Sequence, residues 1–116
     1  MTRLQTAERD VIRAVAQFLD LHHMVYLRFH PVRPVGSQGA ITFIPVGNGK
    51  GAPDFLIFGT RWVLAVECKS SSGRLSAAQE AWGQAFTELG HTYKVVRDVA
   101  ELASDLNRMP RTWERS

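Results

Sequence analysis

Cysteine is nearly absent: Cys68 stands alone, so no internal disulfide can form and a cysteine-based zinc knuckle is excluded. No apolar run approaches the roughly 18 residues that a membrane span requires. The opening Met1-Thr2-Arg3-Leu4-Gln5-Thr6 also lacks the continuous apolar stretch of a signal peptide. With the single cysteine, this start leads us to expect a reducing, cytoplasmic setting. Acid is missing from residues 21–53 altogether, although that stretch carries Arg28, Arg33 and Lys50 with His22, His23 and His30. Such an uncompensated positive field suits a polyanion. Lysine is scarce as well: 11 of the 14 basic residues are arginine, whose planar fork matches phosphate geometry better than an ammonium does. In Gly47-Asn48-Gly49-Lys50-Gly51 the lysine is followed by glycine and then Pro53, not by Ser or Thr and a helix. That excludes a phosphate-cradling NTPase loop.

What remains is ordinary for one globular domain: 116 residues, 45% hydrophobic and 22% charged, with a formal net charge of +3. We read residues 1–107 as that domain and 108–116, with Arg108, Arg111 and Arg115 around Trp113, as a basic tail. Leu4, Val11, Ile12, Val15 and Leu19 recur at helical spacing and predict an amphipathic helix over 4–20. His22 and His23 lack a third nearby ligand and are read as helix-end residues favoured by the dipole. Val25 to His30 predicts a strand, and Ile41 to Val46 a second one limited to an edge by Pro45. Phe55–Phe58, a turn at 59–61 and Trp62–Lys69 predict a hairpin whose second strand is buried on both faces. Ser76 with Gln79 has the form of a capping box opening a helix that runs to Leu89. Its stripe of Ala78, Trp82, Ala85, Phe86 and Leu89 is expected to face the sheet. Tyr93–Arg97 then predicts a strand, and Asp98 with Glu101 a last helix ending before Pro110. The expected fold class is α/β, in the order α-β-β-β-α-β, with a mixed central sheet flanked by helices.

Side chains on a strand alternate faces, so Glu67 and Lys69 point one way and Cys68 the other. Pairing of residues near 55–58 with residues near 63–66 leaves Asp54 level with Glu67 at the open end of the hairpin. Two carboxylates and a lysine thus share one patch. Hard oxygen ligands of this kind bind Mg²⁺ alongside water and substrate phosphate, and a neighbouring lysine can orient water or neutralise charge building on phosphorus. An internal salt bridge at a sheet end would use the same three residues, but burying them for structure alone is costly and seldom stabilising.

The combination Gly51-Ala52-Pro53-Asp54, then Glu67-Cys68-Lys69, then Gly73-Arg74-Leu75-Ser76 with Gln79 resembles the VRR-NUC branch of the PD-(D/E)XK nuclease superfamily, the virus-type replication and repair nucleases. The likeness runs over roughly residues 4–97. It implies a PD-(D/E)XK core and Mg²⁺ or Mn²⁺ held by Asp54, Glu67 and the backbone carbonyl of Cys68, with Lys69 as the water-orienting residue and Gln79 nearby. It also implies a stand-alone DNA endonuclease of phage or bacterial type, acting on Holliday-junction or other branched DNA as a homodimer in the cytoplasm. Two alternatives stay open: a nickase or flap nuclease within a repair assembly, and a DNA-binding module whose site no longer turns over. Arg28, Arg33, Lys50 and Arg74 are the candidate phosphate contacts. Glu8 falls near the middle of the first helix's apolar arc. Either the helix begins late and Glu8 lies in its first turn, or, as the resemblance implies, Glu8 points toward the Asp54 and Glu67 patch and joins the metal shell directly or through water.

Overall fold

The computed structural model describes residues 7–29 and 50–109. Val11, Val15 and Leu19 recur every four residues and are buried, which holds one face of α1 (Glu8–Leu21) against the core. The helix ends on His22, and His23 follows with φ 54°, the left-handed conformation that glycine usually supplies after a helix. The chain then enters β1 (Val25–Arg28), an edge strand that pairs antiparallel with β2 (Phe55–Phe58). Strand β2 pairs antiparallel with β3 (Val63–Cys68), in the register Phe55 to Val66 and Phe58 to Val63. A crossover through α2 (Ala77–Glu88) brings β4 (Thr92–Val96) parallel to β3, and α3 (Val99–Asn107) follows. The sheet order is β1-β2-β3-β4, so the architecture is α/β with a mixed sheet. Among the described residues no helix is long and apolar enough to cross a membrane.

Alternation along the strands sorts the two faces. Phe55, Ile57, Leu64, Val66, Cys68 and Val96 join the buried residues of α1 and α3 in one core cluster. Burying each large side chain there contributes roughly 1.5–3 kcal/mol. Lys94 points to the same side and reaches Asp105 of α3 at 3.9 Å. Glu67, Lys69 and Tyr93 project to the other side, where α2 lies. The hairpin's second strand is buried on both faces, as its near-continuous apolar run anticipates.

Several expectations need correction. Ala7 is extended and caps α1, so the helix starts at Glu8 and not at residue 4, and Glu8 is exposed rather than sunk in the apolar stripe. The strand expected over 25–30 ends at Arg28, and Trp62 belongs to the turn, where Gly59 N–H donates to its carbonyl at 2.9 Å. The largest correction concerns α2. Only Gly83 of that helix is buried, and its position would bring an added Cβ within 2.6 Å of the Tyr93 ring. Small size lets the helix backbone sit directly on the aromatic side chain. The expected stripe is therefore only partly sheet-facing: Trp82 is half-buried and meets the Tyr93 ring at 6.2 Å, whereas Ala85 and Leu89 are exposed and, with Ala78, Trp82 and Phe86, line a groove among the described residues, Leu89 being 75% exposed. The expected strand at 41–46, Arg33, and the tail residues Arg111, Trp113 and Arg115 lie outside the described residues.

Candidate metal centre

Register decides where the acids meet. Because Phe55 pairs with Val66, the preceding residue, Asp54, stands opposite Glu67 at the open end of the β2–β3 hairpin. A backbone bond from Asp54 N–H to the Val66 carbonyl, 3.0 Å, fixes that alignment. The Asp54 carboxylate is then oriented by β3 itself, because Cys68 N–H donates to its Oδ2 at 2.8 Å. In a strand the N–H and C=O of one residue point to the same edge. The Cys68 carbonyl therefore lies on the Asp54 side as well. Its thiol points into the apolar core, where burial raises its pKa and keeps it protonated and inert.

Glu67 is 2% exposed and Lys69 8%. The Gln79 amide donates to Glu67 Oε2 at 2.9 Å, and Lys69 Nζ stands 3.8 Å from the same oxygen. Among the described residues Glu67 Oε1 has no partner, although it is buried. Gln79 also closes the capping box of α2: Ser76 Oγ accepts from Gln79 N–H at 3.1 Å, and Gln79 Oε1 accepts from Ser76 N–H at 2.8 Å. Its amide oxygen thus serves the helix and its NH₂ serves the site. Glu8, at the start of α1, brings a third carboxylate: one oxygen each from Glu8, Asp54 and Glu67 lie within 4.8 Å of one another.

Burial and mutual repulsion are visible in the acids' pKa values. Desolvation pushes Glu67 up to about 8, helped by the charge of Asp54 and, less, Glu8 and opposed by Lys69. Asp54 rises to about 6, again chiefly through desolvation, with the Cys68 N–H bond and the Lys69 and Arg28 charges pulling the other way. Among the described residues three carboxylates face Lys69, with Arg28 at the margin of the patch, so acid outnumbers base there. A hard divalent cation fits that donor set and would satisfy the orphaned Oε1.

The other candidates are placed as follows. Arg28 lies beside the cluster and over the Phe55 ring, 6.0 Å from its centroid. Lys50 is not brought to the acids and borders the apolar groove on α2. Arg74 is exposed in the loop before α2. Two residues escaped the sequence reading. Arg97, after β4, donates through Nη1 to the carbonyls of Ser70 and Gly73, both at 2.7 Å, and so pins the turn that follows Lys69. Spacing alone offers no signal for such a side-chain-to-backbone clasp. Tyr93 packs beneath α2 with its hydroxyl buried and unpartnered, its pKa raised to about 12 by burial and then by Glu67 and Asp54. Its place in an apolar strand hid its closeness to the acids. Comparison with protein-family models, curated proteins and solved structures returns no match for this chain.

Proposed function

We propose that the protein is a Mg²⁺- or Mn²⁺-dependent DNA endonuclease of the PD-(D/E)XK type, similar to VRR-NUC enzymes. The observation that carries this reading is the cluster itself: three carboxylate oxygens within 4.8 Å, with Lys69 Nζ 3.8 Å from Glu67 Oε2 and the buried Oε1 unpaired among the described residues. Asp54, Glu67 and the Cys68 carbonyl would hold the ion, with Glu8 completing the shell directly or through water. When bound, the ion supplies Lewis-acid polarisation of the scissile phosphate and lowers the pKa of a coordinated water. Lys69 keeps N–H donors free for the attacking water or for charge gathering on the phosphoryl oxygens. Gln79, donating to Glu67 Oε2, would hold that carboxylate in one orientation as a ligand. Cys68 N–H does the same for Asp54.

Branched DNA is the proposed substrate, cut by a homodimer in which each chain contributes one site. The test is a panel of linear, flap, splayed and four-way DNA incubated with Mg²⁺, Mn²⁺ or chelator. Metal-dependent cleavage, strongest on the four-way form and abolished by Asp54→Ala and Glu67→Ala, supports the proposal. Cleavage confined to flaps or to single nicks would favour a nickase or flap nuclease. Binding without cleavage under every metal would make the chain a DNA-binding module.

A further inference from the structure

A cleft of about 440 Å³ runs between α1 and β1, and its lining includes Arg9, Arg13, Gln17, Asp20 and Arg28. Charge is unevenly spread along it. Arg9 and Arg13 stand at i and i+4 on one helix face, a like-charge placement that disfavours a helix. Among the described residues Arg13 is offset by the exposed Asp10 alone, at 3.8 Å. Across the cleft, Arg28 pairs in register with Phe55, directly beside Asp54. Glu8, one residue before Arg9, belongs to the acid cluster. The arginine end of the cleft therefore opens onto the candidate metal centre. The acid of the cleft, Asp20, is at the opposite end, where its carboxylate accepts the Tyr26 hydroxyl at 2.6 Å.

We propose that this cleft carries the sugar-phosphate backbone of the substrate strand on one side of the scissile bond, with its phosphates on Arg9, Arg13 and Arg28. The inference rests on the nuclease reading above and adds to it the path of the strand. A helix rise of 1.5 Å per residue sets Arg9 and Arg13 about 6 Å apart along the axis. Phosphates of one duplex strand repeat every 3.4 Å along its axis, so that spacing spans roughly two phosphate steps. Guanidinium forks suit phosphate oxygens, and Asp20 repels the backbone at the far end, which limits the track to the nucleotides next to the cut. The acids at the centre also repel DNA in the absence of metal, so the flanking cations must hold the strand in register for the reaction.

The test measures binding of a labelled DNA duplex to the full chain by fluorescence anisotropy, in chelator so that nothing is cut, over a range of salt concentrations. Wild type is compared with Arg9→Gln/Arg13→Gln and Arg9→Lys/Arg13→Lys. Both positions are exposed, and unchanged circular dichroism melts are expected. Each neutralised phosphate contributes about 0.9 to the slope of log affinity against log salt. The glutamine pair should flatten that slope by about 2 and weaken binding roughly tenfold at low salt, whereas the lysine pair should keep the slope. Wild-type slope and affinity in the glutamine pair would overturn the cleft and leave the nuclease reading standing. Displacement of DNA by inorganic phosphate at matched ionic strength would make this a small-anion site and also overturn the cleft. If wild type binds neither duplex nor four-way DNA, in chelator or with Ca²⁺ in place of the catalytic ion, the nuclease reading fails and the cleft with it.

Discussion

At Glu67, burial and charge conflict most sharply: the side chain is almost wholly enclosed, one oxygen is held by Gln79 and approached by Lys69, and the other has no partner among the described residues. A folded-state pKa raised from 4.5 to about 8, with Asp54 raised from 3.8 to about 6, means that the native state binds more protons than the unfolded chain. The stability that these two groups contribute is fully present below about pH 4 and is lost as pH rises through 6 and 8. Thermal melts of metal-free protein should show this decline across pH 5 to 8, and Glu67→Gln should flatten much of it. An identical decline in the variant would mean that Glu67 is not the strained acid. Divalent metal binds the deprotonated forms, so calorimetry in buffers of different ionisation heat should record proton release on Mn²⁺ binding near neutral pH. The residue pattern was legible at Asp54, Glu67 and Lys69 because strand alternation and hairpin register are arithmetic. Glu8 was legible only in part. Its position in the first turn of α1 and its approach to the acids both hold, whereas its expected burial does not.

Elements place these residues, and α2 is the one on which most depends. Its capping box sets Gln79, and Gly83 sets how closely the helix lies over Tyr93. Gly83→Ala would drive a methyl group into the aromatic ring, with a cost of roughly 1–3 kcal/mol for overpacking. Gln79 would move with the helix, so both melting temperature and cleavage rate should fall. A variant of wild-type stability and rate would show that α2 does not bear on the site. Gln79→Glu separates the two duties of this residue, because glutamate preserves the capping box but cannot donate to Glu67. We expect helix stability near wild type and turnover reduced roughly 10- to 100-fold, the usual loss when a ligand's supporting partner is removed. The elements were mostly visible in sequence through period and caps. The partly outward turn of the α2 stripe was not, because a helical wheel shows that a helix has an apolar face without saying which neighbour covers it. Here Gly83 takes the place directly over Tyr93, with Trp82 at its side and Ala85 and Leu89 left exposed. The start of α1 was misplaced for a related reason: Leu4 fits the helical spacing, yet Ala7 is extended and ends the helix there.

On the scale of the whole molecule, helices α1 and α3 cover one sheet face and α2 the other, and three separate elements deliver the acids to one corner. Glu8 of α1, Asp54 before β2 and Glu67 of β3 form that cluster, so the centre is a product of tertiary structure and is absent from any fragment that lacks one of these elements. One site per chain cannot cut both strands of a junction symmetrically, and a C₂ dimer would supply the second site. Sedimentation equilibrium should find that dimer at working concentration, with or without DNA. Monomer alone would contradict symmetric cleavage by a pair. The central claim, that the carboxylate cluster is a metal-dependent phosphodiesterase centre, is tested most directly by the rate of cleavage of labelled four-way DNA as Mn²⁺ is titrated, in wild type and in Glu67→Gln. We expect a saturable rise from no cleavage in wild type, and a rate lower by roughly 10²- to 10³-fold or more in the folded variant at every concentration. Equal rates in the two proteins, or wild-type cleavage that persists in chelator, would contradict it.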